Sequence, residues 1–340
     1  MKNEKIAIGV IGAGRAGMIH ATHFRSCIPG ATLVAVADPA FETAARAARE
    51  LEIDRFETDP SRILEDPAID AVLIAAPTGV HCELAEAAAA AGKHILCEKP
   101  MAMTEAECDR MIAAASAHHV KLQLAFMRRF DPAFQAAKKA IGEGQIGDVV
   151  MVRSNTRGPS IPKPWMYDIS KSNGPLAEVN SHDIDTVRWF SGSEFRTVHA
   201  IAGNYRCPDA KASFPDFYDN VAMLGEMEDG SQSVIDGAQG VLYGYDARVE
   251  ILGTCGCIYI GRKDENGMTV VSSDMKQRTA FVNSWRFLFK DAYLAEDTAF
   301  IRCILENGEP QIDGRDGKMA VRVVNAGNRS IREKKIIALC

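Results

Sequence analysis

A lysine, a glutamate and a histidine are the side chains whose type and spacing best suit chemistry. Lys99 follows a short apolar run, inside the stretch Glu98-Lys99-Pro100. Glu178 and His182 are four residues apart in a segment with helical spacing, so we expect them to share a helix face. A histidine oriented by a carboxylate can accept a proton near neutral pH, and a lysine can stabilise a developing alkoxide. This set favours oxidation of an alcohol.

Asp185 lies one helical turn beyond His182 and extends the acidic, polar face that distinguishes this histidine. We therefore predict that Asp185 and His182 also contact the substrate. The other seven histidines are interpreted as structural, at positions 20, 23, 81, 94, 118, 119 and 199. For Lys99 the alternative interpretation is a surface lysine that begins a loop.

A glycine-rich stretch near the start, Gly12-Ala-Gly14-Arg-Ala-Gly17, fits the dinucleotide pattern G-x-G-x-x-G. It directly follows an apolar strand and opens a helix, where backbone N–H groups can approach a pyrophosphate closely. Asp38 comes 21 residues after Gly17, at the end of the second predicted strand. An acid there would accept hydrogen bonds from the adenosine ribose. The alternative is that Asp38 only caps the next helix.

Asp38 also bears on which nicotinamide cofactor the chain takes. Its carboxylate would face a 2′-phosphate of like charge, so we predict NAD in preference to NADP. Arg15 and Arg46 are the residues that would favour NADP instead, if either approached the ribose. Both are otherwise interpreted as solvated helix-surface residues.

The pattern of apolar runs predicts two domains. Up to about residue 125, strands alternate with helices, which is typical of a doubly wound parallel α/β sheet, a Rossmann domain. The second domain, 126–340, is predicted to be α+β on an open, mostly antiparallel sheet. Its elements are helices near 132–141 and 175–190, a strand at 148–154, a loop at 158–174, strands between 197 and 271, and helices near 292–306 and 316–334. These last two helices can also pack back on the first domain.

Composition narrows the class of partner. The chain has 340 residues, 47% hydrophobic and 25% charged, which excludes a disordered or collagen-like protein. With 39 basic and 45 acidic residues its net charge is −6, which opposes nucleic-acid binding and favours a small solute. The nine scattered cysteines indicate reduced thiols. No stretch predicts a membrane span or a secretory leader, so we expect a cytoplasmic protein.

The chain resembles the Gfo/Idh/MocA oxidoreductases over nearly its whole length, and within them most resembles the inositol 2-dehydrogenase branch. The resemblance is carried by Gly12–Gly17, Asp38, the stretch 91–100, Arg129-Phe-Asp131-Pro132, the stretch 174–185, Tyr243-Gly-Tyr-Asp246, residues 250–253, the stretch 292–296 and Asp316-Gly317. It implies a Rossmann domain, a sheet domain that commonly forms a homo-oligomer (a dimer or tetramer), and NAD(P)-dependent oxidation of a ring hydroxyl on a polyol or sugar. It also implies the catalytic set Lys99, Glu178 and His182.

The chain thus has two sets of predicted ligand contacts. The cofactor contacts are Gly12, Gly14, Arg15, Ala16, Gly17, Asp38, Pro77, Glu98 and Lys99. The substrate contacts are Lys99, Arg129, Trp165, His182, Asp185 and Tyr243, and no metal site is predicted. The segment 157–173, with Arg157, Lys163, Trp165, Tyr167 and Asp168, suits a carbohydrate; its alternative is an oligomer contact or a lid.

Two features leave other functions open. The family usually has Asp where this chain has Glu178, and it has more glycine than Gly174-Pro175 provides, so the substrate is less defined than the reaction. One alternative is a sugar or glycoside dehydrogenase, or a glycosidase that uses tightly held NAD⁺ for transient oxidation. Another is a nucleotide-sensing regulator without catalysis, which the intact Lys99 and His182 oppose.

Overall fold

The computed structural model describes residues 5–261 and 264–339, and the chain divides into two compact units. The first unit comprises the chain up to Phe130 together with residues 291–321. The second comprises residues 131–290 and the remainder from Arg322. The boundary therefore follows residue 130, compared with the predicted position near 125, and the final helix is divided between the units.

The first unit contains a six-stranded, wholly parallel sheet with the strand order β3-β2-β1-β4-β5-β6. The predicted Rossmann fold is confirmed. Its strands are β1 (Ile6–Ile11), β2 (Ala31–Ala37), β3 (Phe56–Glu57), β4 (Ala71–Ile74), β5 (His94–Glu98) and β6 (Leu122–Ala125). Its helices are α1 (Arg15–Ser26), α2 (Phe41–Leu51), α3 (Ser61–Leu64), α4 (His81–Ala90) and α5 (Glu105–Ala117), joined by all but the first residue of a later helix, α11 (Lys290–Leu305).

Burial on both faces explains why the central strands form a parallel sheet. Every residue of β4 is buried, and Ile8 and Val10 of β1 are fully buried. Near-continuous apolar strands are stable only when helices cover both faces of the sheet. The chain order reverses between β1 and β4, and ligands of such sheets bind outside the carboxyl ends of strands at that point. The glycine-rich turn and Lys99 both follow carboxyl ends of strands in this sheet.

The second unit is built on a seven-stranded sheet with the order β12-β11-β7-β10-β9-β8-β15. Only β7 and β10 pair in parallel, so the predicted, mostly antiparallel sheet is confirmed. The strands are β7 (Val149–Gly158), β8 (Phe195–Gly203), β9 (Asn220–Met227), β10 (Gln232–Gln239), β11 (Asp246–Gly253), β12 (Cys257–Ile260) and β15 (Ile337–Ala338). A separate hairpin pairs β13 (Asp264–Val271) with β14 (Gln277–Phe281).

Helices account for the rest of the regular structure after Phe130. They are α6 (Pro132–Gly142), α7 (Ile169–Ser172), α8 (Gly174–Glu178), α9 (Ser181–Ser191), α10 (Trp285–Leu288), α11 (Lys290–Leu305) and α12 (Gly314–Glu333). Asp131 caps the start of α6 by accepting from the N–H groups of Ala133 and Phe134. This cap explains why the chain turns into a helix at Asp131-Pro132.

The single helix predicted near 175–190 is wrong, because α8 ends at Glu178 and the chain makes a turn at Val179 and Asn180 before α9 begins at Ser181. The side-chain amide of Asn180 donates to the Asp183 carboxylate at 2.8 Å and to the carbonyl of Asp236 at 3.1 Å. These two contacts hold Asn180 between the first turn of α9 and strand β10 of the sheet, at the point where the helix is interrupted. Glu178 ends α8 and His182 lies in α9, so helical spacing does not place them on one face.

Three expectations from the sequence concern membrane spans, the cysteines and a leader segment. None of the described helices is long and apolar enough to cross a membrane. The eight described cysteines are all free. Cys340, and the first four residues on which the expectation of no leader depends, lie outside the described residues.

Candidate active site

The three glycines of the first turn have different surroundings. Gly12 has a φ of +103°, and a Cβ there would lie 2.5 Å from the carbonyl oxygen of Ala75. A Cβ on Gly17 would lie 1.9 Å from the carbonyl oxygen of Gly12, whereas one on Gly14 would meet nothing within 4 Å. Gly12 and Gly17 are therefore required by the fold. Gly14, the N-cap of α1, borders open space beside the first N–H groups of the helix, which fits a dinucleotide pyrophosphate.

This difference gives a matched pair of variants. Gly17→Ala should lower the free energy of unfolding by about 1–3 kcal/mol, because its Cβ overlaps the backbone. Gly14→Ala should cost less than about 1 kcal/mol and should instead weaken NAD binding at least about tenfold, since the methyl group occupies the pyrophosphate space. Urea unfolding and calorimetric NAD titration measure the two effects. Wild-type NAD affinity in Gly14→Ala would contradict this assignment of the turn.

The Asp38 carboxylate touches both the glycine-rich turn and the start of α2. One oxygen accepts the N–H of Ala13 at 3.1 Å, and the other accepts the N–H of Ala40 at 3.0 Å. Asp38 therefore holds the turn that precedes α2 but does not cap that helix, whose N-cap is Ala40, and it also contacts the glycine-rich turn. Arg46 lies on the surface of α2, with its Nε 3.8 Å from a carboxylate oxygen of Glu50.

Lys99 follows the last residue of β5, between the neighbouring ends of β4 and β6. Its backbone N–H donates to Oε2 of Glu98 at 2.9 Å, and its peptide bond to Pro100 is cis. The Pro100 carbonyl oxygen lies 3.0 Å from Nδ1 of His81, whose Nε2 lies 2.7 Å from the carbonyl oxygen of Ala76. Pro77 follows Ala76, so one buried histidine links the turn after β4 with the turn that carries Lys99.

Glu98, a predicted cofactor contact, lies in a buried network of charged side chains. Its Oε1 is 3.4 Å from Nε2 of His20, whose Nδ1 is 2.5 Å from Oδ1 of Asp297. The other Asp297 oxygen lies 2.7 Å from Nδ1 of His23. Burial lowers the pKa of His20, but Asp297 and Glu98 raise it more, and the net result is a pKa well above the ordinary value. The pKa values of Asp297 and Glu98 are lowered overall by the same contacts, although burial alone would raise them.

One corner of this network has the composition of a metal site. Ligand atoms of His20, Glu296 and Asp297 lie within 4.8 Å of one another. However, the 2.5 Å separation between His20 and Asp297 is a hydrogen-bond distance. Two ligands of one zinc ion, each about 2.0–2.2 Å from the metal in tetrahedral geometry, would stand farther apart. We therefore interpret the contact as a charge-assisted hydrogen bond.

Arg129 ties the turn after β6 to the start of α12. Its guanidinium makes a bidentate ion pair with Asp316, at 2.8 and 3.1 Å. Bidentate pairs fix both groups in one geometry. The predicted substrate contact at Arg129 thus has a structural partner within its own unit.

In the second unit, His182 is the second residue of α9 and is buried. The helix is attached to the sheet next to it, because Asp183 accepts a hydrogen bond from the Ser154 hydroxyl of β7 at 2.5 Å. Asp185 is buried too, with a carboxylate oxygen 3.7 Å from Nη1 of Arg188. Asp183 therefore anchors α9 to the sheet, and Asp185 balances the charge of Arg188 in the same helix. Neither role was evident from the spacing of these residues.

A cluster of polar side chains lies at the start of α8 and positions that helix. The sequence did not reveal this cluster. The Asn173 side chain donates to Asn325, and Asn328 donates to the carbonyl of Asn173, both at 2.8 Å. The Tyr218 hydroxyl donates to Asn328 at 2.7 Å. Gly174 has a φ of +72°, and a Cβ on it would lie 3.1 Å from that hydroxyl. The only local signal was the Asn-Gly pair at 173–174, which is typical of left-handed backbone.

The remaining predicted ligand contacts of the second unit lie outside α8 and α9. Arg157 belongs to β7 rather than to the predicted loop, and it pairs with Asp236 at 2.7 and 2.9 Å. By strand alternation it points away from the face that carries α9. The Tyr243 hydroxyl donates to Asp246 at 3.2 Å, and Trp165 is 40% exposed in a short 3₁₀ turn.

Comparison with known proteins gives matches to both parts of the chain. Residues 6–126 match the model of an oxidoreductase family with an NAD-binding Rossmann fold, and residues 134–259 match the GFO/IDH/MocA C-terminal domain. The chain is 33% identical to myo-inositol 2-dehydrogenase of Thermotoga maritima, covering 98% of each chain, and 34% identical to inositol 2-dehydrogenase of Rhizobium meliloti, covering 98% and 99%. It also resembles a structure of scyllo-inositol dehydrogenase from Lactobacillus casei with bound NAD(H) and scyllo-inositol, with a TM-score of 0.90, 29% identity and 99% coverage of both chains.

Proposed function

Because the chain belongs to the Gfo/Idh/MocA oxidoreductases, we propose that it oxidises a ring hydroxyl of an inositol-like cyclic polyol to a ketone, with NAD⁺ as acceptor. The observation that carries this proposal is the end-to-end similarity to relatives named inositol 2-dehydrogenases, in a chain that keeps Lys99 at the carboxyl edge of its parallel sheet. Oxidation of a hydroxyl requires loss of its proton and of a hydride. The proton must be taken by a group of the chain.

We assign the proton-handling roles to three side chains. His182 accepts the hydroxyl proton, Glu178 orients His182, and the Lys99 ammonium stabilises the oxygen as negative charge develops. The nicotinamide, when bound, accepts the hydride. Since α8 and α9 are separate helices, helical spacing does not support the role of Glu178. That role is supported instead by the cluster of polar side chains at the start of α8, which fixes this helix.

The cofactor is proposed to be NAD rather than NADP. The glycine-rich turn, with Arg15 and Ala16 at the start of α1, holds the pyrophosphate, and Pro77 and Glu98 lie at the ends of neighbouring strands. Asp38 remains beside that turn through its bond to Ala13, so a 2′-phosphate would meet like charge. Arg46, engaged with Glu50, does not support an NADP site.

The predicted substrate contacts fall into two groups. Trp165 and Tyr243 are each about two-fifths exposed and keep surface for a ligand, since an aromatic ring beside polar donors suits the mixed faces of a polyol. Arg129 and Asp185 stay proposed contacts, and each also makes an ion pair within its own unit.

A substrate panel tests the proposal most directly. Inositols, aldoses, their acids and aryl glycosides are offered with NAD⁺ or NADP⁺, and NADH absorbance is followed. We expect turnover with an inositol and NAD⁺, and at least about tenfold lower kcat/KM with NADP⁺. Glycoside cleavage without net NADH would indicate the glycosidase alternative, and NAD⁺ binding without turnover of any compound would indicate the regulator.

We also propose a homo-oligomer, a dimer or tetramer, that forms through the open face of the seven-stranded sheet. Ile201, Leu224 and Tyr259 project apolar side chains from this face, with exposures of 66%, 57% and 76%. Apolar groups on one uncovered face are typical of protein contacts. Sedimentation equilibrium should give a dimer or tetramer mass, and a monomer at micromolar concentration would contradict the proposal.

A further inference from the structure

Two histidines that the proposed reaction does not use, His20 and His81, lie on either side of the turn that carries Lys99. Both are almost completely buried, and both come from helices that begin near the predicted cofactor site. In each ring, both nitrogens face a polar partner, and one of those partners is a direct neighbour of Lys99 in sequence. We call His20 and His81 the histidine pair.

On one side, His20 connects the helix of the glycine-rich turn to Lys99 through Glu98. One Glu98 oxygen lies 3.4 Å from Nε2 of His20, and the other accepts the backbone N–H of Lys99 at 2.9 Å. The opposite nitrogen of His20 is held by Asp297 at 2.5 Å. Thus α1 and α11 both act on the orientation of the Glu98 carboxylate.

The charges around His20 favour its doubly protonated ring. It is faced by Glu98 at the end of β5 and by Asp297, Glu296 and the ring of Tyr293 on α11, while His23 of its own helix holds the other oxygen of Asp297. The carboxylates outweigh burial and raise the pKa of His20 well above its usual value. An imidazolium donates from both nitrogens, whereas a neutral ring donates from one only.

On the other side, His81 holds the residue after Lys99. Its Nδ1 lies 3.0 Å from the Pro100 carbonyl oxygen, and its Nε2 lies 2.7 Å from the carbonyl oxygen of Ala76. A neutral ring can donate to one carbonyl and an imidazolium to both. In either state the ring sits between the turn after β4 and the turn after β5.

We propose that the histidine pair consists of positioning residues for Lys99, with His20 acting through Glu98 and His81 acting through the Pro100 carbonyl. The inference rests on the proposed function, in which the Lys99 ammonium must meet a developing alkoxide. Catalytic groups that are misplaced by about 1 Å can lose about 10²-fold in rate. A lysine on a turn needs its backbone fixed on both sides to avoid that loss.

The first measurement needs neither cofactor nor substrate. Hydrogen exchange of the Lys99 amide is read by fragment-resolved mass spectrometry in the wild type, His20→Asn, His81→Gln and the control His23→Asn. An asparagine amide reaches only the position of Nδ1, so His20→Asn removes the contact to Glu98, whereas a glutamine amide reaches the position of Nε2, so His81→Gln removes the contact to Pro100. His23 shares Asp297 with His20, but it makes no hydrogen bond to Glu98 among the contacts of the described residues. We expect at least about tenfold faster exchange in the first two variants and a wild-type rate in the control.

The second measurement separates positioning from a general loss of stability. With an inositol accepted in the panel, His20→Asn and His81→Gln should lower kcat about 10-fold to 100-fold and leave the KM for NAD⁺ within about threefold. His20→Gln, whose amide reaches the position of Nε2 and can donate to Glu98, should recover part of kcat and of the Lys99 protection, and it is the substitute if His20→Asn does not fold.

Unchanged Lys99 exchange in both histidine variants would overturn the proposal, and so would an equal fall of kcat in His23→Asn. The exchange experiment is informative even if the panel finds no dehydrogenase activity. In that case the proposed function fails, while faster exchange would still support positioning of Lys99 by the histidine pair.

Discussion

Replacing Lys99 with methionine should reduce kcat on the accepted inositol by about 10²–10³-fold and weaken NAD⁺ binding by no more than about threefold, because Lys99 is one of several predicted cofactor contacts. Methionine keeps most of the side-chain length and removes the ammonium group. Loss of one charged donor at a developing oxyanion costs about this much, because the charge is stabilised in a site with little water. The cofactor is held mainly by the glycine-rich turn, which this change does not touch. Steady-state kinetics and NAD⁺ titration measure the two quantities.

A matched control is a lysine at the amino ends of the strands in the same sheet, opposite the carboxyl ends where Lys99 lies. Lys121 immediately precedes β6 and pairs with Glu309, so it lies at the amino end of a strand, where no substrate is expected. Lys121→Met makes the same chemical change and should leave kcat within about twofold of the wild type. If Lys99→Met kept more than half of the wild-type turnover, the assignment of Lys99 would be wrong.

The elements that sequence reasoning predicted well are those with a local signal. Ile6–Ile11 is an unbroken apolar run bounded by a glycine, and it forms β1 with those bounds. The apolar runs of the sequence predict five strands in the Rossmann domain, at 6–11, 33–37, 71–75, 94–97 and 122–126, and all five are present, because each is long enough to show burial on both faces. The two-residue strands β3 and β15 were missed, since two residues carry no periodicity.

The features that were missed depend on partners far away in the chain. The break between α8 and α9 involves the carbonyl of Asp236, 56 residues beyond Asn180. The His20–Asp297 contact spans 277 residues, so His20 was indistinguishable from an ordinary buried histidine. Sequence spacing along one helix cannot report such pairings, because only the folded topology brings the segments together.

Replacing His182 with asparagine should lower kcat by about 10²–10⁴-fold, the usual contribution of a positioned general base. Asparagine keeps a polar side chain of similar reach at the start of α9 but cannot accept the hydroxyl proton. The pH dependence of kcat/KM provides the sharper measurement. A histidine base must be neutral to act, so the wild-type rate should fall on the acid side of the profile. That fall should disappear in His182→Asn, whose residual rate should rise with hydroxide.

Two further variants separate the base from its surroundings. His118→Asn changes an exposed histidine at the end of α5 and should retain wild-type kinetics. Glu178→Gln should keep the acid-side fall but lower kcat by about tenfold or more, because the histidine is still present and is less well oriented. A single ionisation that persists unchanged in His182→Asn would assign the base to another group. Glu178→Gln would then identify that group if the same ionisation were lost there, since a carboxylate is the remaining base of the proposed set.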